Sequence, residues 1–156
     1  MNIADLLQKA REKGLRFATA ESCTGGMVAA ALTDIPGSSD VVECGFVTYS
    51  NNAKIHMLGV SPTTLETHGA VAEETAFEMA RGALKNAAVD IAVSITGIAG
   101  PGGSEFKPEG RVCFGIATKT SATAHTVEFG ALGRSRVRDA STEHALKLLA
   151  EATDQL

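Results

Sequence analysis

Apolar and polar positions alternate with two different periods along this chain, and the period changes several times. Residues 3–13 place apolar side chains at helical spacing, and Gly14 follows as a stop signal. The run LRFATA, residues 15–20, then predicts a short buried strand. Helix and strand patterns alternate in this way up to the C-terminus, which is typical of α/β proteins.

The later elements follow the same pattern. The spacing predicts, in order, a helix from Cys23 to Leu32, a strand over 41–50, a short helix over 51–59 capped by Asn51 or Asn52, a loop and then a helix within 61–87, strands over 90–96, 111–118 and 121–129, and a helix over about 134–154. The inner side of the last helix is expected to carry Val137, Ala140, His144, Leu148 and Ala150. Strands that alternate with helices, with a closing hairpin, predict one mixed sheet with helices on both faces.

The composition is that of one soluble globular domain. With 156 residues, the chain suits a single domain spanning 1–156. Hydrophobic residues make up 44% of it, charged residues 21%, and the formal net charge is −4. A nucleic-acid module normally carries a basic stripe that neutralises phosphates. Because this chain is mildly acidic, we expect no nucleic-acid partner.

The cysteines indicate a reducing compartment. Cys23, Cys44 and Cys113 are odd in number, lie far apart and lack the paired spacing of a zinc site. They predict free thiols, a cytoplasmic location and no metal centre. The N-terminal helix pattern carries charges throughout rather than a continuous apolar core. We therefore expect neither a signal peptide nor a membrane partner.

A Gly/Pro-rich segment, GIAGPGGSEFKPEG, is the most unusual part of the chain. It follows the carboxyl end of a predicted central strand, where open α/β sheets bind their ligands. Gly97, Gly100, Gly102 and Gly103 let backbone N–H groups approach an anion, and the Thr96 hydroxyl is a further donor. The segment matches neither the Walker nor the dinucleotide fingerprint. Two interpretations therefore remain: the loop binds a phosphate, or it only reverses the direction of the chain.

The stretch ESCTGG, which joins a strand to a helix, also has two interpretations. Glu21, Ser22 or Thr24 is suited to cap the first turn of the helix. Alternatively, Ser22 is a nucleophile that stands clear of the sheet, with the N–H groups of Cys23, Thr24 and Gly25 placed to hold an oxyanion. Cys23 also has two interpretations. It is a rival nucleophile, because a helix N-terminus lowers the pKa of a thiol, or it is a small buried residue of the helix.

A catalytic serine needs a base, and the sequence offers few candidates. The four histidines occur in unrelated elements, which favours surface or core positions: His56, His68, His125 and His144. Lys54 begins a short helix just after the strand that ends near Tyr49. A single exposed lysine is ordinarily a solvated charge.

Five motifs together resemble the CinA C-terminal-domain family. They are ESCTGG, YSNNAK, HGAVAEE, SITGIAGPGG with a following KPEG, and the spaced arginines of RSRVRDAS, in the family's order. The resemblance covers the chain from about Leu6 to Leu149. Members of the family include nicotinamide-nucleotide amidases, which hydrolyse the carboxamide of nicotinamide mononucleotide to nicotinic acid mononucleotide and ammonia.

The resemblance implies a role for each matching position. Ser22 is the expected nucleophile, Lys54 its base and Tyr49 a neighbour that orders the hydroxyl or the substrate. The expected substrate-binding residues are Thr24, Gly25, Gly26, Thr96, Gly97, Gly100, Gly102, Gly103 and Arg136. A pyridine nucleotide is the expected small-molecule partner, with no cofactor and no metal. The implied fold is a three-layer α/β/α sandwich on a five-stranded mixed sheet, like the anticodon-binding-domain group.

Two further expectations accompany this assignment. For Lys54 to act as a base, its pKa must fall from an ordinary value of about 10.4 towards neutrality, through burial, a helix N-terminus or the cation of Arg136. The apolar, alanine-rich helix surface predicts a homodimer. The alternative function is a non-catalytic nucleotide-binding or competence-related interaction module that binds through the Gly/Pro segment and Arg136, with Ser22 only a cap.

Overall fold

A computed structural model describes residues 2–156 of the chain. Its helices are α1 (Ile3–Glu12), α2 (Met27–Thr33), α3 (Asn51–Leu58), α4 (Pro62–His68), α5 (Glu73–Ala87) and α6 (Arg134–Gln155). Its strands are β1 (Phe17–Glu21), β2 (Val42–Val47), β3 (Ile91–Gly97), β4 (Arg111–Thr118) and β5 (Ala122–Glu128). They form one sheet with the order β2-β1-β3-β4-β5.

The sheet is mixed, as the sequence predicts. Strand β1 lies between β2 and β3 and pairs with both in parallel, whereas β4 and β5 add in antiparallel orientation. The carboxyl ends of the three parallel strands therefore meet at one edge of the sheet. The ESCTGG turn, the segment leading to α3 and the Gly/Pro segment all start there, which brings the predicted site motifs together.

Helices cover both faces of the sheet, which confirms the predicted three-layer α/β/α arrangement. Alternate residues of β3 point to opposite faces. Ile91, Val93 and Ile95 pack with apolar side chains of α1, α2 and α6. Ala92 packs with apolar side chains of α3, α4 and α5. Burying one large aliphatic side chain stabilises a fold by about 1.5–3 kcal/mol, so these two apolar layers hold the helices against the sheet.

Two local predictions at the start of helices are wrong. Helix α2 begins at Met27 rather than Cys23, because Gly25 and Gly26 have φ angles of 57° and 109°, outside the right-handed helical region. The side chain that caps α3 is Ser50, whose Oγ accepts the N–H of Ala53 at 3.0 Å, and not Asn51 or Asn52.

Two helical regions differ from the pattern prediction as well. Helix α4, which begins at Pro62, occupies a segment predicted as loop. The prediction missed it because the helix buries a single apolar residue, Leu65, and one residue produces no periodic pattern. In α6 the buried stripe departs from the predicted one after Val137. Its buried members are Val137, Ser141, Ala145, Leu146, Leu149, Ala152 and Thr153.

Candidate active site

The turn after β1 presents Ser22 at the edge of the sheet. Its backbone N–H donates to the carbonyl of Ile95 on β3, at 2.9 Å, so the turn continues the sheet by one residue. The N–H of Gly25 donates to the Ser22 carbonyl at 3.0 Å and is thereby engaged. Within residues 2–156, the N–H groups of Cys23 and Thr24 have no hydrogen-bond acceptor. The hydrogen-bonding capacity of these two N–H groups is therefore unused.

Glu21, and not Ser22, caps α2. The Glu21 carboxylate is completely buried and accepts the N–H groups of Val28 and Ala29 at 2.9 and 3.1 Å. It also accepts the hydroxyl of Thr24 at 2.6 Å. A carboxylate is favourable at this position because the N-terminal end of a helix carries a partial positive charge. The Thr24 side chain is thus engaged below the turn, and the Ser22 hydroxyl has no capping role.

Lys54 lies beside Ser22, on the first turns of α3. Its Nζ atom is 3.0 Å from Ser22 Oγ, 2.9 Å from the carbonyl oxygen of Thr48 and 3.4 Å from that of Tyr49. The Lys54 side chain is only 1% exposed, and burial lowers its pKa to about 8. When the amine is neutral, its two hydrogens are matched by the two carbonyls, so its lone pair faces the serine hydroxyl. A lysine held in this way can accept the serine proton.

A pocket of about 360 Å³ opens above this pair. Its floor includes Ser22, Cys23 and Lys54, and its wall is the Gly/Pro segment with Gly97, Gly100, Gly102 and Gly103. Thr96 also lines the pocket, and its hydroxyl donates to the carbonyl of Ala70 at 2.8 Å. The N–H of Gly102 donates to the carboxylate of Glu109 at 2.7 Å, so one loop N–H already has an anionic acceptor.

Residues 2–153 match the CinA C-terminal domain family. The chain belongs to this family. It is 52% identical over 143 residues to the nicotinamide-nucleotide amidohydrolase PncC of Escherichia coli strain K12, a match that covers 91% of this chain and 87% of that protein. It is also 52% identical over 155 residues to a CinA-like protein of Chloroherpeton thalassium. That match covers 96% of this chain but 36% of the relative, so the chain spans about a third of the length of such relatives.

Solved structures of family members have the same fold. The competence/damage inducible protein CihA of Agrobacterium tumefaciens superposes with a TM-score of 0.89 at 46% sequence identity, over 97% of this chain and 95% of that one. A CinA superfamily protein of Klebsiella pneumoniae 700603 superposes with a TM-score of 0.92 at 34% identity, over the full length of both.

Two arginines that sequence reasoning did not select hold the site together. Arg134 donates to the hydroxyl of Tyr49 at 2.9 Å and to the carbonyl of Gly100 at 2.7 Å, across the mouth of the pocket. Arg138 donates to the carbonyl of Cys23 at 3.0 Å and thereby fixes the turn that carries Ser22. Arg136, the arginine predicted from the resemblance, is exposed and does not line the pocket.

Helical periodicity explains which arginines reach the site. Arg134 and Arg138 are four residues apart on α6 and continue the buried stripe through Ser141 and Ala145. Each residue turns a helix by about 100°, so Arg136 points to a different side. The alternation of Arg in RSRVR was visible in the sequence, but Arg136 was chosen from the family resemblance and not from its position relative to the buried Val137.

The Cys23 thiol is poorly suited to be the nucleophile. The sequence placed it at a helix N-terminus, where its pKa would fall. In the structure α2 begins four residues later, and burial raises the pKa of Cys23 to about 11. At neutral pH the residue is therefore a protonated thiol beside Ser22.

The histidines lie elsewhere, and none lines the pocket. His125 on β5 and His144 on α6 form a pair with their Nε2 atoms 2.8 Å apart, against the ring of Phe114. His68 pairs with Glu74 at 3.1 Å, and His56 lies on α3. Among residues 2–156, no three His, Cys, Asp or Glu side chains are grouped to hold a metal ion.

Within residues 2–156, no helix combines the length and the apolar character needed to cross a bilayer.

A second pocket, of about 710 Å³, lies between α5 and the β4–β5 turn. This turn adjoins the amino end of β3, since Thr118 pairs with Ile91, so the second pocket is at the opposite edge of the sheet from Ser22. It contains none of the predicted site residues.

Proposed function

We propose that this chain is a nicotinamide-nucleotide amidase that hydrolyses the carboxamide of nicotinamide mononucleotide to nicotinic acid mononucleotide and ammonia. The observation that carries the proposal is the 3.0 Å separation of Lys54 Nζ and Ser22 Oγ on the floor of a pocket. The name of the Escherichia coli relative, a nicotinamide-nucleotide amidohydrolase, supports the choice of substrate.

In the first half of the reaction, neutral Lys54 accepts the Ser22 proton as Ser22 Oγ attacks the carboxamide carbon. The N–H groups of Cys23 and Thr24 stabilise the oxyanion that forms. The Lys54 ammonium then donates its proton to the departing nitrogen as the C–N bond breaks. Ammonia leaves, and an ester joins Ser22 to the pyridine carbonyl carbon.

The second half repeats these proton transfers with water. Neutral Lys54 takes a proton from a water molecule, which attacks the ester. The C–O bond to Ser22 breaks, and Lys54 returns the proton to the serine oxygen. The carboxylate of nicotinic acid mononucleotide is released, and the enzyme regains its starting state. Each residue in this cycle belongs to this chain.

The substrate phosphate needs a cation that is separate from Lys54, because an adjacent dianion would favour the protonated amine. Arg134 fits this role because it lines the pocket and bridges Tyr49 to the Gly/Pro segment. The glycine N–H groups of that segment supply further donors.

The test is ammonia release from nicotinamide mononucleotide by the unaltered chain, Ser22→Ala and Lys54→Ala. We expect release by the unaltered chain and a loss of at least about a thousandfold in both variants, since they remove the nucleophile and the base. Circular dichroism confirms that the variants are folded. Equal activity of Ser22→Ala and the unaltered chain would refute the serine mechanism. If the folded unaltered chain releases no ammonia but binds the nucleotide, it is instead a non-catalytic nucleotide-binding module.

A further inference from the structure

The candidate pocket contains charges of both signs, and Glu105 supplies its negative charge. Lys54 and Arg134 are the cationic lining residues, and Glu105 is the one acidic lining residue among residues 2–156. A ligand that only carried phosphate would gain nothing from a carboxylate in this position. The lining is complementary to a ligand with separate anionic and cationic parts.

The backbone conformation of Glu105 places its carboxylate beside Gly69. Glu105 adopts a φ of 51°, an unfavourable left-handed conformation for a residue with a side chain. Its carboxylate packs on Gly69, where any side chain would collide with it. The neighbouring Lys107 ammonium donates to the carbonyls of His68 and Val71 at 2.6 and 2.7 Å and ties the loop to the segment before α5.

The charge of Glu105 remains available to a ligand. Its carboxylate accepts no hydrogen bond from residues 2–156, and the nearest ammonium, that of Lys107, is 3.9 Å away, beyond hydrogen-bond distance. Half of the Glu105 side chain, 49%, is exposed. Its field also reaches the floor of the pocket, where it acts to raise the pKa of Lys54 against the larger effect of burial.

The geometry points to Glu105 as the residue that recognises the positively charged pyridinium ring of the nucleotide, an inference that rests on the amidase proposed above. A pyridine joined to ribose through its ring nitrogen carries a full positive charge, and the carboxamide is two ring positions away. When the carboxamide carbon is at Ser22, the cationic ring occupies the same pocket as Glu105. The phosphate, at the other end of the ribose, is left to Arg134.

The opposing explanation is that Glu105 only balances Lys107 or adjusts Lys54. Either role would affect all ligands of the pocket alike. Recognition of the cationic ring affects only ligands that carry it. Reduced nicotinamide mononucleotide separates these cases, because its dihydropyridine ring has the same carboxamide, ribose and phosphate but no charge on the ring nitrogen.

The experiment measures the dissociation constants of both nucleotides by calorimetry, in a Ser22→Ala background that prevents turnover. We expect Ser22→Ala with Glu105→Gln to bind the oxidised nucleotide about fivefold more weakly, the size of a partly exposed ion pair, and the reduced nucleotide unchanged. The matched control is Glu66→Gln, which removes the same charge from an exposed position of α4 outside the pocket. It should leave both constants unchanged.

Three results would overturn the inference: equal weakening for both nucleotides, no weakening for either, or no binding of the oxidised nucleotide to the Ser22→Ala chain. Failure of the proposed function is a different result, namely absence of ammonia release by the unaltered chain. If ammonia is released but Glu105→Gln does not discriminate between the nucleotides, the amidase stands and only the role of Glu105 is wrong.

Discussion

Ser22 Oγ and Lys54 Nζ are 3.0 Å apart, although 32 positions separate the two residues in the sequence. The parallel pairing of β1 with β2 brings them together, because Ser22 follows the end of β1 and Lys54 belongs to the helix that follows β2. The contact is buried, so the ammonium form is costly and the neutral amine is favoured.

The rate of the reaction should depend on the protonation of Lys54. In the proposed mechanism the neutral amine of Lys54 is the active form, and its pKa is about 8. The value of kcat/KM should therefore rise with pH, reach half of its maximum near pH 8 and approach a plateau towards pH 9. At pH 7 about one enzyme in ten carries the neutral amine. The measurement is ammonia release between pH 6 and 9. The substrate phosphate titrates near pH 6. If kcat/KM rises only around pH 6, the titrating group is the phosphate and not Lys54, which would contradict the prediction.

Replacing Lys54 by methionine should abolish activity without unfolding the chain. Burial lowers the pKa of Lys54 from its ordinary value of 10.5 to about 8, so the buried amine destabilises the fold at neutral pH. This cost decreases as the pH rises above 8 and is absent above the ordinary pKa. Methionine removes it. It also leaves the carbonyls of Thr48 and Tyr49 without a donor. These effects oppose each other, so the free energy of unfolding should change by less than about 2 kcal/mol. Urea denaturation at pH 7 measures it. A chain that retains activity would exclude Lys54 as the base.

Glu21→Ala should destabilise the fold, in contrast to Ser22→Ala. The first change leaves the N–H groups of Val28 and Ala29 and the hydroxyl of Thr24 without their buried acceptor, which should cost about 3 kcal/mol or more. Ser22→Ala leaves every acceptor of the α2 N–H groups in place and removes only the hydroxyl that contacts Lys54 Nζ, so it should cost less, about 1–2 kcal/mol. Urea denaturation compares the two. Equal losses would mean that Ser22 supports α2 after all.

Arg134→Ala should lower the proposed amidase activity more than Arg136→Ala. The first removes the cation at the mouth of the pocket and two hydrogen bonds, to Tyr49 and Gly100, so kcat/KM should fall about tenfold or more. Arg136 is exposed, and we expect a smaller loss there. Steady-state kinetics on both variants decide between them. A larger loss in Arg136→Ala would support the role that the family resemblance assigns to that residue.

The histidine pair should make the fold less stable in mild acid. Burial, followed by the proximity of His125 and of Lys147, lowers the pKa of His144, whereas Glu151 acts to raise it. The folded chain therefore disfavours protonated His144, so the stability from this group is present above its ordinary pKa of about 6.5 and is lost as the pH falls below it. Thermal denaturation between pH 5 and 8 tests this. His144→Phe should have a flatter profile, and an unchanged slope would contradict the assignment.

Much of the fold could be predicted from the sequence, because periodicity is a local property. The change from period 3.6 to period 2 identified every strand and most helices. It missed α4, where only Leu65 is buried, and it placed the inner face of α6 out of phase after Val137. Both errors occur where few large apolar side chains define a face.

The site was less accessible to sequence reasoning. The residues alone left Ser22 as either cap or nucleophile, and the choice of Lys54 came from the family resemblance. The capping role of Glu21 required knowledge of where α2 begins, which depends on the φ angles of Gly25 and Gly26. Arg134 reaches the pocket because of how α6 packs against the sheet, and Glu105 reaches it because of the path of the Gly/Pro segment. Neither the helix packing nor the path of the segment is a local property of the sequence.

Glu21 and Ser22 are neighbours at the end of an extended strand, so their side chains point to opposite faces of the sheet. The Glu21 carboxylate accepts N–H groups of α2 on one face, and the Ser22 hydroxyl contacts Lys54 on the other. Inserting or deleting one residue within β1 would exchange the two, placing an acid in the pocket and a serine beneath the helix. Evolution can therefore change the length of the surrounding loops far more readily than the length of this five-residue strand.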